Sequence, residues 1–88
     1  MPKITVTLPP ALVKLFPGSA GRVELSASSV AGMIDALDAS WPGMRDRLCD
    51  SSPRIRRNIN VFVEGRRATL ETRLSPGTEV TILTAIVG

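Results

Sequence analysis

The 88-residue sequence predicts an α+β domain, a mixed sheet of four to five strands packed on one main helix. Three observations carry that expectation. Short stretches near the beginning, at 58–63 and at 79–83 alternate apolar and polar residues with the period of two expected of half-buried strands. A single longer stretch, 30–37, repeats its apolar residues at helical spacing. Clusters of Pro, Gly, Ser and Asp punctuate the chain between these runs.

In chain order, Lys3-Ile4-Thr5-Val6-Thr7-Leu8 places Ile4, Val6 and Leu8 on one face of a strand and the threonines on the other. Pro9-Pro10 ends the ladder, because proline has no N–H to donate. Residues 11–16 read as a short helical turn, closed by Pro17-Gly18. Arg22 to Ser26 alternates again with Val23 and Leu25 inward, so the two strands form an antiparallel hairpin with a long loop. The main helix follows. Ser28 or Ser29 serves as N-cap, and Val30, Met33, Ile34 and Leu37 form one apolar stripe. Gly32 within it costs about 1 kcal/mol against Ala, which close approach of helix to sheet would explain. Trp41-Pro42 ends the helix, since a residue before proline avoids the α region.

Met44 and Leu48, four apart, predict a second short helix, and Asp50-Ser51-Ser52-Pro53 a turn. Asn58 to Val63 is a strongly alternating strand with Ile59, Val61 and Val63 inward. Glu64-Gly65 turns the chain into a short segment at 66–69. Leu70 and Leu74, again four apart, predict a tight helical turn before Ser75-Pro76-Gly77-Thr78 and the last strand, Glu79 to Leu83. A hairpin, a crossover helix and further strands make a mixed sheet with the first and last strands central and parallel, as in β-grasp folds.

Composition narrows the chemistry. The sequence has no His and no Tyr, which removes the usual general base and the Ser-His-Asp and Cys-His nucleophile systems. We therefore expect no catalytic residue and no metal site. A single Cys49 makes neither an internal disulfide nor a cysteine metal cage and is read as a small apolar filler. The first residues lack the pattern of a signal peptide, and no segment is long and apolar enough to span a bilayer. A cytoplasmic protein with no membrane contact is the expectation. Net charge is +3, unevenly placed: Arg45, Arg47, Arg54, Arg56, Arg57, Arg66 and Arg67 face only Asp46, Asp50 and Glu64 within 45–67. A solvated face is the simplest reading. The alternative function is a non-catalytic binding module that uses this surface for RNA or for an acidic protein partner. RNA is disfavoured, because Phe62 is the one aromatic in the cluster and bases need stacking platforms.

Four stretches, in order along nearly the whole chain, carry a resemblance. They are the Lys3-Ile4-Thr5-Val6 strand, the Ser29 to Leu37 helix, Ile59 to Gly65, and Leu74-Ser75-Pro76-Gly77-Thr78-Glu79-Val80-Thr81-Ile82-Leu83-Thr84-Ala85. Together they resemble the ubiquitin-like sulfur carriers of the MoaD/ThiS family, which include the small subunit of molybdopterin synthase. The resemblance implies a single β-grasp domain over 1–88 with a C-terminal tail at 84–88. It implies a carrier and not an enzyme, with no bound cofactor. An E1-like adenylating enzyme uses ATP to activate the carboxylate of Gly88, and a sulfur donor converts it to a thiocarboxylate. A sulfur-accepting enzyme, such as a synthase large subunit, then consumes it in molybdopterin, thiamine, cysteine or related biosynthesis. By the same resemblance, Thr84, Ala85, Ile86 and Val87 enter the partner, and Phe62 and Leu83 are docking candidates. Five residues span at most about 18 Å when fully extended. Val87 stands where the family has the first glycine of a Gly-Gly ending. A further glycine beyond Gly88, tolerance of Val87, and loss of carrier activity are each consistent with that departure.

Overall fold

The computed structural model describes residues 2–52 and 54–84. In chain order the elements are β1 (Lys3–Thr7), α1 (Pro10–Leu15), β2 (Arg22–Ser26), α2 (Val30–Ser40), α3 (Met44–Leu48), β3 (Ile59–Val63), β4 (Arg66–Arg67) and β5 (Glu79–Thr84). The strands form one sheet in the order β2-β1-β5-β3-β4. β1 and β5 are parallel neighbours at its centre, and the other pairings are antiparallel. This is the β-grasp arrangement that the alternating runs and the crossover helix predict. None of the helices is long and apolar enough to cross a membrane, among the described residues.

Alternation decides which residues meet. Ile4 and Val6 of β1, Val61 of β3 and Val80 and Ile82 of β5 are almost wholly buried. They share the core with the α2 stripe of Val30, Met33, Ile34 and Leu37, and Met44 and Leu48 of α3 extend it. Removing each such side chain from water contributes about 1.5–3 kcal/mol before the entropy of ordering is set against it. The short passage after Pro9 is a true helix, because a proline at its first position lacks only an N–H that would have had no partner. Trp41 ends α2 as expected. Glu64 and Gly65, both with positive φ (50° and 80°), form the two-residue connection between β3 and β4. Such loops favour that left-handed geometry because it matches strand twist.

Two local expectations are corrected. Leu70 to Leu74 does not form a helical turn. Thr69 to Thr72 is a β-turn, with the Thr72 N–H on the Thr69 carbonyl at 3.2 Å. The chain then runs extended, and Arg73 bridges Ser29. The reason lies at the start of α2, whose first N–H groups have no partner within the helix. Val30 N–H donates to the Thr72 carbonyl and Ala31 N–H to the Leu70 carbonyl, both at 3.0 Å. Those bonds outweigh the weak helical preference of two spaced leucines.

The second correction concerns Gly32, which is not held by close helix–sheet approach. A methyl group there would meet Ser29 Oγ at 3.4 Å and Ala27 Cβ at 3.8 Å, with nothing from the sheet that near. Ser29 is the N-cap, and its Oγ accepts the Gly32 N–H at 3.1 Å. Gly32→Ala is therefore expected to raise stability by about 0.5–1 kcal/mol, through reduced freedom of the unfolded chain. Urea denaturation checks this, with a higher midpoint at unchanged slope as the expected result.

Candidate functional site

The face of the sheet away from α2 is built by the residues that alternate with the core. Thr81 of β5 lies opposite Phe62 of β3, and Leu83 lies opposite Asn60. Phe62 and Leu83 are therefore diagonal neighbours on one face, about 7–8 Å apart in backbone terms. Phe62 is half-buried, while Leu83 is 46% exposed. The structure thus brings the two docking candidates together. Thr84, expected as the first residue of the tail, instead closes β5 as the ladder partner of Ile59. Ala85, Ile86, Val87 and Gly88 lie outside the described residues.

Charge divides this face. On the β2–β1 side, Lys3 pairs with Glu24 at 3.4 Å and Arg22 reaches across to Glu79 at 2.6 Å. These exposed pairs contribute little to stability, but they leave that side electrically balanced. Glu64 also belongs to the ladder, since its side chain accepts the Glu79 N–H at 3.1 Å. At the opposite edge, Arg67 lies opposite Phe62 and donates to the Asn60 side chain. Alternation within β3 foretold that Phe62 faces away from the core. Its pairing with Arg67 across the hairpin needed the register.

The arginine-rich cluster resolves into separate roles. Arg45 is paired with Asp35, which raises the guanidinium pKa still further, chiefly through their hydrogen bond. Cys49 is buried in the core, and burial pushes its thiol pKa up, so it is neither exposed nor activated. Two carboxylates organise the segment that carries the arginines. Asp38 Oδ1 accepts the N–H groups of Arg45 at 3.1 Å and Gly43 at 3.0 Å. The bond from Arg45 above all holds its carboxyl below the ordinary 3.8. Asp50 is likewise lowered, first by the Ser52 hydroxyl, then by the N–H groups of Ser52 and Arg54.

A lowered folded pKa means that the folded state binds the proton less readily than the unfolded state. The associated stabilisation is complete above pH 3.8 and is lost as pH falls through the folded values. The amide resonances of Gly43 and Arg45 are expected to follow the titration of Asp38, and those of Ser52 and Arg54 that of Asp50, each with a midpoint below 3.8. Acid titration followed by NMR checks this.

A mixed sheet with parallel central β1 and β5 wrapped on one main helix defines a ubiquitin-like β-grasp protein. No family model matches the chain. The sulfur carrier protein CysO of Mycobacterium tuberculosis is 31% identical over 91 residues, covering 97% of each chain. A chain in the crystal structure of the Amycolatopsis orientalis BexX/CysO complex matches with a TM-score of 0.87 at 29% identity, over 97% of this chain and 98% of that one. SAMP1 from Haloferax volcanii, at 20% identity over 98% of each chain, shares the fold with a TM-score of 0.82. The present chain belongs to the MoaD/ThiS family of ubiquitin-like sulfur carriers. Its function is that of a sulfur carrier protein.

Proposed function

We propose that sulfur is carried on the carboxylate of Gly88, which partner enzymes activate and this chain only presents. The observation that carries this reading is the end of β5. The described part of β5 runs to Thr84, beside the apolar pair of half-buried Phe62 and exposed Leu83. A terminal carboxylate has a pKa of roughly 3.5 and is ionised at neutral pH, which makes it a poor acyl electrophile. An E1-like adenylating enzyme overcomes this by letting the carboxylate attack the α-phosphate of ATP, with pyrophosphate leaving. A donor at the sulfide level then attacks the acyl carbon and displaces AMP, leaving a thiocarboxylate for a sulfur-accepting enzyme.

In this scheme the chain supplies a handle and a reach. Phe62 and Leu83 dock the partner, while Thr84 anchors the base of the tail and Ala85, Ile86 and Val87 thread Gly88 into the active site. No residue of this chain acts as an acid, base or nucleophile apart from the terminal carboxylate. An ATP-dependent partner and a reduced Cys49 fit the cytoplasm. The test is incubation of the protein with ATP, its adenylating enzyme and a sulfur donor, followed by intact-mass measurement. The expected result is the mass gained when one oxygen is replaced by sulfur. Absence of both that gain and ATP–pyrophosphate exchange would overturn the proposal.

A further inference from the structure

We infer that Arg56, Arg57 and Arg67 form a clamp for carboxylates on an acidic surface of the partner protein that takes up the tail. The inference rests on the carrier reading and adds the chemistry of the partner. Its basis is a contrast among the cations. Lys3, Arg22 and Arg45 each have a carboxylate within 4.0 Å. Among the described residues, the other eight cations have none, and three of these, Arg56, Arg57 and Arg67, are exposed around a single notch.

These arginines surround one feature. β4 contributes only Arg66 and Arg67, pairing with Val63 and Phe62, so β3 has no neighbouring strand beyond Val61 on that side. The resulting notch, about 340 Å³, is lined by Arg56, Arg57, Asn60 and Arg67 over a floor that includes Ile59 and Val61. Two of the guanidiniums are held by neutral oxygens. Arg56 Nε donates to the Asp46 carbonyl at 2.7 Å, and Arg67 donates to Asn60 Oδ1. Such bonds orient the groups, which reduces the ordering cost of a later contact. Arg56 is partly offset by the nearby Asp50 carboxylate, whose pKa it helps to lower, so Arg57 and Arg67 carry most of the free charge.

Position supplies the link to sulfur transfer. The notch opens where β3 begins, and β3 begins where β5 ends, with Ile59 opposite Thr84 and Asn60 opposite Leu83. A protein that engages the residues after Thr84 lies against the arginines. Phe62 and Leu83 then form the apolar centre and the arginines a charged rim, the usual anatomy of a specific protein interface. The planar guanidinium fork matches a carboxylate in two parallel hydrogen bonds. A single-stranded RNA would need successive aromatic platforms, and the face offers Phe62 alone.

The experiment measures ATP–pyrophosphate exchange by the adenylating enzyme from the same organism, with the full-length carrier as the varied substrate. For Arg57→Glu/Arg67→Glu the KM is expected to rise at least about tenfold, and the salt dependence of wild-type KM to flatten. The neutral pair Arg57→Gln/Arg67→Gln is expected to show a smaller rise in the same direction, and it stands in should the reversal disturb folding. Lys14→Glu/Arg73→Glu, an equal change of net charge away from the notch, should alter KM less than about threefold. Equal rises for both charge reversals, or no rise for either notch variant, would overturn the clamp. So would salt-sensitive binding of a labelled oligouridylate that the notch variants abolish, since the arginines would then serve RNA. Exchange by the wild type with unchanged notch variants removes the clamp and leaves the carrier reading standing. No exchange with the wild type removes both.

Discussion

Converting the Gly88 carboxylate to an amide is expected to abolish sulfur loading while leaving the fold in place. Every step of the proposed cycle begins from that one group. An amide has no anionic oxygen to attack the α-phosphate of ATP, so no adenylate forms and no partial activity remains. Within the described residues the ladder of β5 ends with Thr84 opposite Ile59, so the sheet does not depend on the altered group. Intact mass after incubation with ATP, adenylating enzyme and sulfur donor should show the unmodified protein alone, with an unchanged far-UV circular dichroism spectrum. Loading of the amidated chain would place the sulfur elsewhere and sink the assignment of Gly88.

The second large effect separates two adjacent residues. Ile82 is wholly buried between β1, β3 and α2, whereas Leu83 points to the opposite face and is 46% exposed. Ile82→Ala removes buried methyl groups from a small core and should cost about 2–5 kcal/mol. That is a large fraction of the roughly 5–15 kcal/mol that keeps a domain folded. The melting temperature should fall by at least about 8 °C. Leu83→Asp leaves the core untouched and should melt within about 2 °C of wild type. It should nonetheless weaken partner docking about tenfold or more, because it places a charge at the centre of the proposed interface. Calorimetry and titration of the adenylating enzyme test the pair together. Normal partner affinity for Leu83→Asp would remove that residue from the interface.

The same alternation that makes this contrast possible made most of the fold legible. Val80-Thr81-Ile82-Leu83 and Ile4-Thr5-Val6-Thr7 announce both their strands and the side each residue occupies, because the side-chain period of a strand is two. Val30, Met33, Ile34 and Leu37 announce α2 just as directly. The pairing of Leu70 with Leu74 misled, because a spacing of four over so short a stretch carries little information. The bonds that decide it run to α2, some forty residues earlier in the chain. Gly32 is a similar case, since its surroundings are its own cap and Ala27.

The candidate site divides along the same line. The docking candidates Phe62 and Leu83 could be named from the sequence, and the ladder register then placed them side by side. The arginines were visible as a run of charge, but their division was not. Asp35 neutralises Arg45, while Arg56 and Arg67 are held by neutral oxygens.

Local patterning was enough to specify the class of fold, the inward and outward face of each main strand, the main helix with its cap, and the family resemblance. These properties depend on local periodicity and on neighbours within a few residues. Long-range pairing set the rest: β4 stops short, residues 70–74 complete the start of α2, and Thr84 belongs to the sheet. It alone placed Arg56, Arg57 and Arg67 beside the end of β5. Those outcomes depend on which distant backbone groups find partners, and a hydrogen bond between residues far apart in the chain leaves no period in the sequence.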